Sequence, residues 1–141
     1  MTTAALDGVI VLDLTQFESG TVCTETLAWL GATVIKLERP GTGEQGRASS
    51  ADRADADSYH FILLNANKKS VTVDLKHPEG KSLVRRLIER ADVFVENFRP
   101  GTIERLGFGY ESVRGINPRM IYAQIKGFGM DSPYADFPAF D

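Results

Sequence analysis

The fold of this chain is decided by residues 9–41, which read V-I-V-L-D-L-T-Q-F-E-S-G-T-V-C-T-E-T-L-A-W-L-G-A-T-V-I-K-L-E-R-P-G. An aliphatic run is followed by a polar turn, by apolar residues at helical spacing, and by a second aliphatic run. This order predicts a βαβ unit in a parallel sheet that is covered on both faces. Such sheets bind ligands beyond the carboxyl ends of their strands, so function is expected first at residues 15–20 and 38–41.

The rest of the chain continues the alternation of strands and helices. The predicted strands are 9–14, 33–38, 70–75, 92–98 and 120–126, and the later helices are 78–91, 102–106 and 110–116. Residues 58–64 fit either a short helix or a strand, and 41–57 form a long loop that either covers a ligand or lacks order. The pattern predicts an α/β fold with a doubly wound, mainly parallel sheet and flanking helices.

The first helix is expected to begin near residues 19–21, where the hydroxyl of Ser19 or Thr21 could cap it, and to end at Gly31. Its predicted apolar face consists of Cys23, Leu27 and Leu30. Cys23 is the single cysteine, so it cannot form an internal disulfide. We expect a buried packing thiol there, with a reactive thiol as the alternative.

Composition places the chain among ordinary globular proteins. Its 141 residues are 43% hydrophobic and 25% charged, which suits one domain with a core. The net charge of -3 argues against nucleic acid or an anionic membrane as the main partner. The sequence shows no secretory leader and no apolar stretch of membrane-spanning length, so a cytoplasmic location is expected.

Several common sites are not supported by the motifs. A dinucleotide site requires G-x-G-x-x-G, but the first turn reads T-Q-F-E-S-G-T-V and places Glu18 where phosphates would lie. Glu38 has the position of a ribose-binding acid, which is weak evidence without those glycines. Walker A, H-E-x-x-H and G-x-S-x-G patterns are absent, and no metal is expected because His60 and His77 lack partners at ligand spacing. His77 is instead predicted at the start of a helix, and His60 at the boundary of the 58–64 segment.

Basic residues lie near the ends of the predicted strands. They are Arg39, Lys68, Lys69, Lys76, Arg99 and Arg105. In a parallel sheet, Arg39, Lys76 and Arg99 would gather on one edge, and a positive edge in an acidic protein suits a phosphorylated small ligand. The alternative is that each one is a solvated charge beside a strand.

Five ordered blocks of the sequence resemble a known family. They are D-G-V-I-V-L-D-L-T, L-A-W-L-G-A-T-V-I-K-L-E-R-P-G, L-N-A-N-K-K-S-V-T-V-D-L-K-H-P-E-G, A-D-V-F-V-E-N-F-R-P-G-T-I-E-R-L-G-F-G-Y and N-P-R-M-I-Y-A-Q-I-K-G-F-G. Together they are similar to the amino-terminal part of class III CoA-transferases. That family includes formyl-CoA:oxalate and carnitine CoA-transferases and α-methylacyl-CoA racemase.

The resemblance implies an acyl-CoA ligand on a Rossmann-like domain, with the CoA thioester as a substrate and no permanently bound cofactor. It implies that Gln16, Phe17 and Glu18 line the thioester end. The nucleotide would be held by Arg39, Val73 and Lys76, and the rest of the CoA wall by Asn97, Phe98 and Arg105. The partners implied are an acyl-CoA and a carboxylic acid.

In the family's transferases an aspartate attacks the thioester, and an anhydride and then an aspartyl-CoA thioester follow. The resemblance places that aspartate after Asp141, so no catalytic residue is expected in this chain. The racemase uses a histidine in a G-H-D segment, where this chain has Ala139, Phe140 and Asp141. Because phenylalanine cannot transfer a proton, a transferase is favoured and a racemase or epimerase is the alternative.

Two further expectations limit this interpretation. Glu18 stands where formyl-CoA transferases carry a glutamine, which weakens formyl-CoA or oxalate in particular. Family members are longer, with a second small domain and a carboxyl-terminal return, and form interlocked homodimers. Residues 1–141 are therefore expected to be an incomplete amino-terminal CoA-binding domain that is inactive alone. A non-catalytic CoA-binding module is the alternative of another class.

Overall fold

The computed structural model describes residues 3–49, 53 and 55–139, and the elements named here lie within them. The strands are β1 Ile10–Asp13, β2 Thr33–Glu38, β3 Lys69–Thr72, β4 Val93–Glu96 and β5 Ile121–Gln124. The α-helices are α1 Ser19–Trp29, α2 Tyr59–Leu64, α3 Pro78–Ile88, α4 Thr102–Leu106 and α5 Tyr110–Ile116. A short 3-10 helix spans Gln45–Ala48.

The strands form one sheet in the order β3-β2-β1-β4-β5, and each neighbouring pair is parallel. β1 is central, with Leu12 in register with Ile35 of β2 on one side and with Phe94 of β4 on the other. The chain adds β2 and β3 outward from β1 and then returns to add β4 and β5 on the opposite side. This reversal leaves a crevice beyond the carboxyl ends of β1 and β4, where doubly wound sheets bind ligands.

Both faces of the sheet are covered, which confirms the predicted doubly wound α/β architecture. Leu12 and Phe94 belong to a core cluster that contains Val84 of α3 and Val113 of α5. Val11, the neighbour of Leu12 in β1, belongs to a second cluster that contains Ala28 of α1. Successive strand residues point to opposite faces, so the aliphatic run of β1 supplies both cores.

Most of the predicted elements form close to their expected positions. Thr33–Glu38, Thr102–Leu106 and Tyr110–Ile116 have the predicted bounds, and Gly31 ends α1 with a left-handed φ of +105°. The ambiguous segment is the helix Tyr59–Leu64, capped by Ser58, whose hydroxyl accepts from the N–H of Phe61 at 3.0 Å. The third strand begins one residue earlier and ends three earlier than predicted.

The predicted cap of α1 was wrong, and of its predicted apolar face only Leu27 packs against the core. Cys23 is exposed and Leu30 is 46% exposed, whereas the buried positions are Gly20, Thr21, Thr24 and Ala28. The small polar face turns to the sheet because the Thr24 hydroxyl donates to Asp13 Oδ2 of β1 at 2.7 Å. The helix also lacks a side-chain cap, since the Thr21 hydroxyl donates to the carbonyls of Phe17 and Glu18 instead.

No helix in the part of the chain that the structure describes is long and apolar enough to cross a membrane.

Candidate functional site

The crevice beyond the carboxyl ends of β1 and β4 is bordered by the loops that follow these two strands, by Gln45 and by residues that follow β5. It has a volume of about 620 Å³, and both loops contribute to its wall. The loops are tied together by Asn97, whose Oδ1 accepts from the N–H of Gln16 at 2.8 Å and whose Nδ2 donates to the Gln16 carbonyl at 2.7 Å. Five residues predicted from the resemblance line this one space: Gln16, Phe17, Glu18, Asn97 and Phe98.

The backbone of the β1 loop is held by side chains at every polar group from Thr15 to Phe17. The three N–H groups donate to Asp13 Oδ1 (2.8 Å), Asn97 Oδ1 (2.8 Å) and Glu44 Oε1 (2.8 Å). The three carbonyls accept from Lys36, Asn97 and the Thr21 hydroxyl. A pyrophosphate would need such N–H groups for itself. The loop therefore offers a ligand its side chains, which agrees with the absent dinucleotide motif.

Phe17 adopts a left-handed backbone conformation, with φ of +59°. This conformation is uncommon outside glycine and costs on the order of 1 kcal/mol or more. It is maintained because the Phe17 N–H donates to the carboxylate of Glu44, a buried residue from the loop after β2. Strain of this kind at a ligand crevice indicates that the loop is shaped for something other than stability.

The β4 loop is held in a similar way on the other side of the crevice. Glu96, at the end of β4, accepts from the N–H of Phe98 through Oε2 at 2.8 Å. Its Oε1 lies 2.6 Å from Lys126 Nζ, and the same ammonium donates to the Phe98 carbonyl at 2.7 Å. Both backbone polar groups of Phe98 are thus bound by one ion pair.

A buried cluster of charges lies beneath the β1 loop. Asp13 Oδ2 is 3.0 Å from Lys68 Nζ and 3.8 Å from Lys36 Nζ, and Lys36 is 2.6 Å from Glu44 Oε2. Burial lowers the pKa of Lys68 although the nearby Asp13 carboxylate favours its charged form. Lys68 precedes β3 and also donates to Asn65 and to the Thr21 carbonyl, so it was wrong to place it at a strand end with the ligand cations.

A second pocket, of about 760 Å³, lies beyond the carboxyl ends of β2 and β3 and is lined by Arg39, Arg47 and Arg53. Glu38 is engaged there by Nε and Nη2 of Arg47, each at 2.7 Å, and by the Ser70 hydroxyl at 2.6 Å. Burial opposes ionisation of Glu38, but these bonds and the Glu44 N–H outweigh it and lower its pKa to about 2. Its carboxylate is therefore occupied and is not offered to a ribose.

The described part of the 41–57 loop contacts β2 through Glu44 and Arg47 and borders both spaces. Gln45 lines the crevice, while Arg47 and its neighbours line the second pocket. Arg47 also stacks on Phe61, 3.8 Å from the ring centre, and the Ser58 hydroxyl donates to the Gly46 carbonyl at 2.7 Å. Residues 50–52 and 54 lie outside the described residues. The loop thus connects the two spaces along the carboxyl edge.

The other predicted site residues are not gathered in the crevice. Arg39 is exposed in the second pocket, and Lys76 and Arg105 are exposed but line neither space. Val73 is 6% exposed and packs in the core, so only its backbone could face a ligand. Arg99 lines the crevice and therefore does not share a pocket with Arg39.

Sequence reasoning did not identify Lys36, Glu44 and Lys126 as part of the site. One available signal was Lys36, because a lysine inside the apolar strand V-I-K-L needs a buried partner. Glu44 could not be chosen as that partner among the acids of the long loop. His77 caps α3 as predicted, and His60 lies in α2. Within residues 3–49, 53 and 55–139, no three His, Cys, Asp or Glu side chains are grouped to hold a metal ion.

Residues 6–141 match the model of CoA-transferase family III, and the chain therefore belongs to this family. Over 139 residues it is 50% identical to the formyl-CoA:oxalate CoA-transferase of Rhodopseudomonas palustris (strain BisA53). The aligned region covers 99% of this chain and 32% of that protein. The protein of the same description from Streptomyces avermitilis is 51% identical, with 99% and 34% covered. The chain thus spans about a third of the length of these curated relatives.

Solved structures of relatives share the fold. Rv3272 from Mycobacterium tuberculosis superimposes with a TM-score of 0.91 at 40% identity, covering 100% of this chain and 39% of that one. A CAIB/BAIF family protein from Brucella suis gives a TM-score of 0.92 at 38% identity, covering 99% and 38%. Rv3272 has also been solved as a variant in which one aspartate is replaced by alanine. These comparisons confirm the predicted family and the prediction that the chain corresponds to the amino-terminal part of its members.

Proposed function

We propose that this chain supplies the CoA-binding part of an enzyme that moves CoA from an acyl-CoA to a carboxylic acid. The observation that carries the proposal is the crevice at the reversal of strand order, whose bordering loops are joined by the paired Asn97–Gln16 hydrogen bonds. Family membership supports the reaction class, and the curated relatives are described as formyl-CoA:oxalate CoA-transferases.

In this proposal the thioester end of the substrate lies beside Gln16, Phe17 and Glu18. Asn97 and Phe98 form the facing wall, and the aromatic rings suit the apolar parts of the CoA arm. Arg39 and Lys76 would hold the nucleotide phosphates, Val73 would contribute backbone, and Arg105 would extend the wall. Arg39 and Lys76 are exposed and not engaged in any described ion pair, which leaves their charges available to phosphates.

The proposed chemistry uses an aspartate outside these 141 residues. Its carboxylate attacks the thioester carbonyl, the C–S bond breaks, and a mixed anhydride and CoA thiolate result. The thiolate then attacks the aspartyl carbonyl and releases the donor acid, and the acceptor acid exchanges through the same steps in reverse. An interlocked homodimer and a cytoplasmic location belong to the same proposal and follow from the family resemblance and the sequence.

The proposal is tested by ligand-induced thermal stabilisation of the full-length protein. CoA and acetyl-CoA are expected to raise its melting temperature, and Arg39→Ala with Lys76→Ala to remove most of that shift. Arg86→Ala with Arg90→Ala is the charge-matched control. Both residues are exposed near the carboxyl end of α3, whereas Lys76 precedes its amino end. The absence of any shift with CoA or acetyl-CoA in the parent protein would overturn the proposal.

A further inference from the structure

The two loops that border the crevice are held by the same device. In each, the carboxylate of a lysine–glutamate pair accepts the backbone N–H of a phenylalanine: Glu44 from Phe17 and Glu96 from Phe98, both at 2.8 Å. In each, the lysine of that pair donates to a carbonyl of the same loop. Lys36 reaches Thr15 at 2.9 Å and Lys126 reaches Phe98 at 2.7 Å.

These pairs are buried more deeply than ion pairs that serve solubility. The side chains of Lys36 and Glu44 are each 2% exposed, and those of Lys126 and Glu96 are 11% and 0% exposed. Removing two charges from water is costly, and a buried ion pair is often no more stabilising than apolar residues of similar volume. Stability alone therefore does not explain why charged pairs occur at both loops.

The β1 loop shows what a charged pair can do that an apolar pair cannot. Its backbone carries Phe17 at φ of +59°, and its N–H and carbonyl groups need fixed partners from outside the loop. Glu44 and Lys36 hold positions on either side of Gln16, while Asn97 holds Gln16 itself. A carboxylate and an ammonium in contact fix each other's direction, so the loop geometry is set before a ligand arrives.

We propose that Lys36–Glu44 and Lys126–Glu96 are positioning pairs, which fix Phe17 and Phe98 as the two walls between which the substrate's reacting end is aligned. The inference rests on the proposed CoA-transferase function for the identity of that substrate. Neither pair is catalytic, because the groups act through the backbone of the loops. Loss of a pair should loosen alignment and leave the distant CoA handle on Arg39 and Lys76 bound.

The test uses Glu44→Ala and Glu44→Gln in the full-length protein, with formyl-CoA as donor and oxalate as acceptor. Glu44→Ala is expected to lower kcat about a hundredfold, the effect typical of a small misplacement of reacting groups, with little change in KM for formyl-CoA. Glu44→Gln keeps an oxygen for the Phe17 N–H and should recover part of kcat. Asn117→Ala is the matched control, because it removes side-chain bonds to the carbonyls of Ile88 and Ala91 at the opposite edge of the sheet.

Hydrogen exchange at the Phe17 amide provides a readout that needs no substrate. Glu44→Ala should speed exchange at Phe17 while the amides of β1 and β4 stay protected, and Asn117→Ala should leave Phe17 unchanged. Unchanged Phe17 exchange in Glu44→Ala, or equal kcat losses in Glu44→Ala and Asn117→Ala, would overturn the positioning role. A parent protein that fails to bind CoA but shows the expected exchange pattern would instead overturn the proposed function alone.

Discussion

The side chain of Asn97 binds both backbone polar groups of Gln16: its Oδ1 accepts from the Gln16 N–H at 2.8 Å, and its Nδ2 donates to the Gln16 carbonyl at 2.7 Å. This paired contact joins residues 81 positions apart and links the loops after β1 and β4. A side-chain amide supplies a donor and an acceptor on separate atoms, so it can bind the N–H and the carbonyl of one residue together. Asn97 therefore sets the spacing of the crevice walls.

Replacing Asn97 with alanine is expected to lower the free energy of unfolding by about 1–3 kcal/mol, because both polar groups of Gln16 lose a partner in a partly buried place. Asn97→Asp keeps an acceptor for the N–H but loses the donor for the carbonyl, so it should also be destabilised. Denaturant titration of the full-length variants measures the change. Parent-like stability of Asn97→Asp would show that the bond to the Gln16 carbonyl contributes nothing.

Asp13→Ala should be among the most damaging single changes in the chain. Asp13 is fully buried, and its Oδ2 lies 3.0 Å from Lys68 Nζ and accepts from Thr24 at 2.7 Å. Its removal leaves the Lys68 ammonium buried without that carboxylate, which costs about 3–5 kcal/mol of unfolding free energy. The double variant Asp13→Ala with Lys68→Met removes the orphaned charge and should recover part of this loss. If the double variant is less stable than Asp13→Ala, the charge explanation fails.

The Glu38–Arg47 contact predicts a pH-dependent contribution to stability. The pKa of Glu38 is about 2 in the fold and 4.5 in an ordinary setting, so the folded state binds the proton less well than the unfolded chain does. The contribution, roughly 2 kcal/mol, is thus complete above pH 4.5 and is lost as the pH falls towards 2.

Comparison with Glu38→Gln isolates this contribution from other acids. The melting temperature of the parent protein should exceed that of the variant at pH 7, and the difference should shrink at pH 3. Asp55→Asn is the control, because Asp55 and its partner Arg53 are both exposed. The melting temperature of this variant should equal that of the parent protein at pH 7 and at pH 3. A parent–variant difference for Glu38→Gln that stays constant with pH would contradict the assigned pKa shift.

Much of the fold could be predicted because its strands carry a strong local signal. The aliphatic run of β1 must supply both faces of a covered sheet, and α3 shows an apolar stripe that buries Val84 and Ile88 as expected. The face of α1 could not be predicted from hydrophobicity, because its orientation depends on the bond from Thr24 to Asp13. A tertiary hydrogen bond to a buried carboxylate outweighed the burial of Cys23 and Leu30.

The candidate site was predictable only in part for a related reason. Gln16 lies three residues after the end of β1 and Asn97 directly follows β4, so the parallel topology brings both to one crevice. Glu44 lies in an irregular loop without periodicity, and its contact with Phe17 depends on how that loop folds across the edge of the sheet. A residue that binds the backbone of a distant segment produces no periodic pattern in the sequence around itself, so it cannot be recognised there.

Two glycines in helices should respond in opposite ways to alanine. A Cβ at Gly80 of α3 would lie 2.0 Å from the carbonyl oxygen of Asp74, and a backbone group cannot move away as a side chain can. Gly80→Ala is therefore expected to lower the free energy of unfolding by about 1–3 kcal/mol through overpacking. Gly115 of α5 meets nothing within 4 Å, so Gly115→Ala should stabilise the protein by about 0.5–1 kcal/mol through helix propensity. Denaturant titration of both variants checks the pair, and equal effects of the same sign would show that close approach to Asp74 is not what requires glycine at position 80.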